Sequence, residues 1–395
     1  MKYIFTGLLA AALMFSGAFS AAPVEEVTLH PDLATAIRLV DEAIHVLDTV
    51  AAEVWPEWKS YRDEIYFTAV PKVQDIMINP PALPGPDYMP LENTSHGMPV
   101  YLRDPSPIEK IWGGAYRFRL GGKRYKAARF YPPAADATER WIENFRDKMP
   151  DKRLWEPAAR IFGSLEYRVA IIIHEAFHRF QETTNRMKIV NQTHPSPFDG
   201  SADQAALARL EGLILSRAVK SENGDQIAGL ARQFLAVRQE RRRGLTPEDI
   251  AWEMRNEFAE GSAMYVETLT FELLDRMDYS PRDLEKDEDG FYGFSIAEDM
   301  VNQNISWIEH SPKRGSDAGE ALQRCYYFGL AQGLILDRLA GPSWKTGFFE
   351  PDVYFETLLA ESSGFDPDNA APYLEKAQND FDYAGILAAV TNEKR

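Results

Sequence analysis

Val169-Ala-Ile-Ile-Ile-His174-Glu175-Ala-Phe-His178-Arg-Phe-Gln181 is the stretch on which the fold turns. The run from Val169 to Ile173 is apolar at every position, so a helix through it keeps no face for water and is expected to be buried. Four residues at about 100° each carry the chain just past a full turn, so His174 and His178 leave one face, one turn apart. Two imidazoles so placed can share one tetrahedral Zn²⁺. Glu175 falls at the edge of that face, where it can take a proton from a water. The pattern H-E-x-x-H thus predicts a buried helix over about 164–184 that acts as a rigid metal platform. The plainer alternative is a pair of structural histidines with Glu175 bridged to Arg179.

Ahead of that helix, residues 60–133 read as strands. Tyr116-Arg-Phe-Arg-Leu120 alternates strictly, Gly121-Gly122 supplies the positive φ of a two-residue type I′ turn, and Lys123 to Phe130 returns. Tyr66 to Met77 holds alternating strand-like pieces, and Pro80 to Pro90 reads as a proline-rich loop. Earlier still, Leu33, Ile37, Val40, Ile44 and Leu47 keep a helical period over about 31–53. After residue 133 the patterning is helical, over 141–148, 202–220, 225–243 and 317–339. Thr246-Pro-Glu-Asp249 is a helix start, with Thr as N-cap, Pro in the first turn and an acid three residues on. That helix is expected to reach about Met277, with a charged, glycine-rich loop to Phe294. The expected fold is α+β and mainly helical, with a small antiparallel sheet preceding a helical catalytic region.

Composition narrows the function. The 395 residues carry 43 basic and 60 acidic side chains, a net charge of −17. Nucleic acid and anionic membranes are repelled at long range by such a surface and are not expected as partners. Cys325 stands alone, which excludes an internal disulfide and a cysteine metal cage, and leaves His and carboxylate as donors. Residues 1–20 carry Lys2, an apolar stretch from Ile4 to Phe15, and Ala18-Phe19-Ser20 in small-x-small form. They predict a signal peptide cleaved after Ser20, and hence a secreted or periplasmic protein. The stretch falls short of the about 20 apolar residues that a stable membrane anchor needs.

A catalytic zinc site needs a third protein donor. The segment Arg255-Asn-Glu257-Phe-Ala-Glu260-Gly-Ser-Ala-Met-Tyr265-Val-Glu267 resembles the E-G-x-A-x-Y segment of the gluzincin metallopeptidases. There, that Glu lies on a helix after the H-E-x-x-H helix and completes the zinc site. The resemblance covers these two helices and implies a zincin-like fold, His174, His178 and Glu260 as zinc ligands, and Glu175 as general base. In the thermolysin-like and aminopeptidase branches the third ligand follows the second His closely, whereas 81 residues intervene here. Residues 201–245 are therefore expected as an inserted helical hairpin. It would lie between a 151–200 region holding H-E-x-x-H and a 246–395 part holding the third ligand, with 21–150 as the N-terminal helix and β-rich part. The aminopeptidase G-x-M-E-N motif is absent, so the exopeptidase label does not carry over.

Two carboxylates rival Glu260: Glu257, one turn earlier, and Glu211, which could equally bridge to Arg238 or Arg241. Glu267 could accept the outer N–H of a ligand histidine. For the oxyanion of amide hydrolysis, Tyr326 and Tyr327 in Arg324-Cys-Tyr-Tyr-Phe-Gly329 are the candidate catalytic donors, with Tyr265 and His310 behind them. The resemblance loosely favours a tyrosine after the third ligand, although an aromatic pair on a helix can simply be core. The expected function is that of a zinc-dependent metallohydrolase, a peptidase acting on peptide or protein substrates. The alternative is a non-catalytic zincin-like binding or assembly module of the cell envelope.

Overall fold

A computed structural model describes residues 28–91, 97–110, 114–131, 152–184, 201–284, 290–310 and 318–393. The expected signal segment and the helix expected at 141–148 lie outside the described residues. Helix α1 (Pro31–Val54) opens with proline at its first position, where the missing N–H costs nothing, and turns Leu33, Val40, Ile44 and Leu47 into the core.

Six strands follow: β1 (Tyr66–Val70), β2 (Gln74–Ile78), β3 (Tyr88–Leu91), β4 (Val100–Arg103), β5 (Gly114–Leu120) and β6 (Lys123–Arg129). Their order across the sheet is β3-β4-β2-β1-β6-β5. The β5–β6 hairpin forms as its sequence predicts, with Leu120 opposite Lys123 and φ of 55° and 80° at Gly121 and Gly122. The sheet is mixed, not antiparallel, because β1 and β6 run parallel. After β4 the chain crosses back to the far side of β1, and local alternation carries no record of which strand becomes a neighbour. The proline-rich loop also ends in a strand, since Pro90 lies in β3. That strand is at the sheet edge, where a missing donor interrupts no ladder.

The rest is helical: α2 (Lys152–Gly163), α3 (Leu165–Thr184), α4 (Ala202–Lys220), α5 (Gly224–Arg242), α6 (Pro247–Asn256), α7 (Ser262–Arg276), α8 (Ala297–His310), α9 (Ala318–Leu339), α10 (Phe355–Ser363), α11 (Ala371–Asp380) and α12 (Tyr383–Glu393). The fold is α+β and mainly helical. Thr246 caps α6 as expected: its hydroxyl accepts from Asp249 N at 3.2 Å, and the Asp249 carboxylate accepts from Thr246 N at 3.3 Å. The helix does not run unbroken to Met277. A π turn, Glu257–Gly261, separates α6 from α7.

One apolar core joins α1, the helix-facing side of the sheet (Tyr66, Ile76, Ile78, Ala128, Phe130) and helices α3, α7 and α9. The α4–α5 hairpin is part of it, since Leu210, Ile214 and Phe234 are fully buried there. It is a core element, not a surface appendage. Phe177 of α3 is gripped by Trp55 and Trp58, each at a ring-centroid distance of 5.1 Å, which fixes the rotation of α3 about its axis. Among the described residues, no helix is long and apolar enough to cross a membrane.

Candidate metal centre

His174 and His178 leave α3 toward the π turn, where Glu260 meets them. Glu260 Oε2 lies 3.2 Å from His178 Nε2 and 3.6 Å from His174 Nε2, and one donor atom from each of the three residues falls within 4.8 Å of the others. Donors about 2.0–2.1 Å from a tetrahedral Zn²⁺ stand about 3.3 Å apart, close to the two distances from Glu260 to the histidines. The two imidazole rings are 4.7 Å apart and nearly perpendicular, at 83°. All three residues are largely buried, with Glu260 3% exposed. Burial disfavours charge on both imidazoles, but Glu260 and Glu267 outweigh it at His174 and hold it up at about 10, and Glu260 likewise raises His178. Burial works against the Glu260 carboxylate too, yet the two histidines keep it well below the usual range.

The outer nitrogens are also engaged. Glu267 Oε2 stands 3.3 Å from His174 Nδ1, where the sequence suggests it. His178 Nδ1 faces Gln181 Oε1 at 2.8 Å, and the Gln181 amide in turn donates to Ala259 O at 2.9 Å and Ser262 Oγ at 2.7 Å. Gln181 thus ties one histidine to the backbone that carries Glu260, which fixes its ring orientation. Sequence reasoning missed it. Its signal was the three-residue spacing from His178, which puts both on one helix face.

Glu175 receives a backbone N–H bond from Gly114 at the start of β5, and burial raises its carboxyl against the opposing charges of His178 and His174. The two candidate tyrosines separate. Tyr326 stacks on His174 at 5.8 Å and 12°. Burial pushes its phenol well up, and its bond to Glu260 adds to that. Tyr327, one residue on and therefore about 100° around the helix, packs on Trp307 at 5.9 Å and is core. Tyr265 donates to Asp337 at 2.6 Å, and His310 Nδ1 meets Ser306 O at 2.7 Å. Cys325 is fully buried beside Trp252 and Ala321.

Neither rival carboxylate reaches the centre. Glu257 is held by both terminal nitrogens of Arg238, at 2.6 and 2.7 Å, and by Gln332 at 2.9 Å. Glu211 accepts from Arg241 Nε at 2.5 Å. These belong to a buried network in which Arg238, Arg241, Arg242 and Arg324 face Glu211, Glu253, Glu257 and Glu356. The basic run Arg238 to Arg243, which reads as cations suited to a helix end, supplies three of the four arginines of this network.

The π turn is locked from behind by α9. A Cβ built on Gly329 would stand 2.5 Å from Gly261 Cα and 2.6 Å from Glu257 O, so the two backbones touch where only glycine fits. Gly329→Ala is therefore expected to cost about 1–3 kcal/mol of stability by forcing the helices apart, and to draw Glu260 away from the two histidines. Gly229→Ala, where a new Cβ meets nothing within 4 Å, serves as the neutral control. Thermal melts with and without an added divalent cation measure both effects. Native behaviour of Gly329→Ala would show that the helices have room to spare.

In comparison with known proteins, no family model matches this chain, and neither does any curated protein or solved structure.

Proposed function

We propose that this chain is a zinc-dependent metallohydrolase of gluzincin type, a peptidase that works outside the cytoplasm. The observation that carries the reading is the convergence of one donor atom each from His174, His178 and Glu260 to within 4.8 Å of one another, with Glu175 beside them. Bound there, Zn²⁺ would polarise a substrate carbonyl and acidify a water. Glu175 accepts the proton of the attacking water and returns it to the leaving amine, a task suited to a carboxyl raised by burial. Tyr326, kept protonated by burial, is the donor for the developing oxyanion. β5 is an edge strand whose first residue bonds Glu175, so an extended peptide added to that edge would run past the general base.

Metal analysis of the purified chain beside a His174→Ala/His178→Ala variant tests the premise. One zinc per native chain, absent from the variant, is the expected result. No zinc in either protein after reconstitution would end the reading.

A further inference from the structure

The β5–β6 hairpin is strongly basic in a chain of net charge −17. Its register sets Arg117 opposite Lys126 and Arg119 opposite Arg124. Cross-strand partners share a face, so four cations crowd one side of a two-stranded ribbon, and like charges placed directly opposite one another destabilise it. Lys126 is paired with Glu182 of α3 at 2.6 Å. Arg117, Arg119 and Arg124 are exposed, and among the described residues no carboxylate stands within ion-pair distance of them.

The position of this face gives the charge a use. Ala128 continues it into the core against the helices, and Lys126 reaches the H-E-x-x-H helix, so the cations leave the sheet on the side of the metal centre. The row begins at the general base: Gly114 N–H bonds Glu175, and Arg129 lies within the electrostatic reach of both Glu175 and Arg117. Strands advance about 3.3 Å per residue, so Arg117 and Arg119 stand about 10 and 17 Å along β5 from Gly114. Among the described residues β5 is also a sheet edge, whose outward N–H and C=O groups suit an added strand. A peptide backbone matches both the edge and the cations. A nucleic acid or a lipid surface would use the cations alone.

We infer that the β5–β6 hairpin selects peptide substrates that carry carboxylates at alternate positions on one side of the cleaved bond. Arg117, Arg119 and Arg124 would act as the specificity-determining residues. This rests on the peptidase reading above, and the test separates the two. On the zinc-loaded Glu175→Gln variant, fluorescence anisotropy would compare a labelled extended peptide bearing alternate glutamates with its glutamine counterpart, at low and high salt. The acidic peptide is expected to bind about tenfold more tightly, with the difference shrinking in salt as exposed charges are screened. In an Arg117→Gln/Arg119→Gln/Arg124→Gln background with unchanged zinc content, the preference is expected to vanish. Equal binding of the two peptides, or a preference that survives the triple substitution, would overturn the inference. Phosphatidylglycerol vesicles or single-stranded DNA that displace the peptide and lose binding in the triple variant would also overturn it, by assigning the face to another polyanion. Acidic preference in a native chain that cleaves nothing would sink the peptidase reading and spare the surface; cleavage blind to acidic residues would do the reverse.

Discussion

Glu175→Gln is expected to hold zinc as the native chain does and to lower turnover of a peptide substrate by about 10²–10⁴-fold. The substitution keeps the size of the side chain and an acceptor for the Gly114 N–H, so the α3 platform and the three donors should stay in place. What it removes is, among the described residues, the carboxylate beside the centre that is not already engaged by the histidines, since Glu260 is held by both of them and Glu267 stands behind His174. Metal content and kcat/KM measured on the same preparation separate the two effects. Retained turnover would exclude Glu175 as the base; loss of zinc together with turnover would make its role structural.

The second large effect lies away from the site. Arg241→Ala is expected to cost about 3–5 kcal/mol in urea unfolding, because it leaves the buried network one cation short: Glu211 keeps only Arg238 at 3.4 Å, and Glu253 loses one of its three arginines. Much of the loss would be the burden of an uncompensated buried charge, not the intrinsic value of the pair. Arg243→Ala is the contrast: its arginine is 69% exposed and among the described residues pairs only with Glu240, three residues earlier, so the change should stay within about 0.5 kcal/mol. A loss of under 1 kcal/mol for Arg241→Ala would mean that water reaches the network. Because Glu257 opens the π turn and belongs to the same network, the zinc content of this variant also reports how far Glu260 depends on it.

Much of this was legible along the chain because it was local. The helix ends near Thr184, Lys220 and Leu339 follow from periodicity, and the hairpin follows from alternation around Gly121-Gly122. The candidate donors were legible too, since H-E-x-x-H is one helix turn and the Glu260 segment carried a resemblance of its own. What escaped depends on distance or on burial. The parallel pairing of β1 with β6 joins strands more than fifty residues apart. A buried ion-pair network and a run of solvated charges look alike in one dimension, so Arg238 and Arg241 were legible as possible partners of Glu211 but their burial was not. The π turn changes helix pitch over five residues and leaves no compositional trace. Tyr326 and Tyr327 were separable only by knowing which direction of α9 faces Glu260.

The separation of Glu260 from His178 along the chain sets a chronology. A ribosome that has just completed α3 has made both imidazoles but no third donor, and about 75 further residues, including α4 and α5, must emerge before one exists. Two donors on an isolated helix would hold a cation loosely and release it readily. Firm capture must wait until the π turn docks against α9, later still in synthesis. The centre would then be acquired last, and a chain that retains its cation would be one whose helical layer has closed.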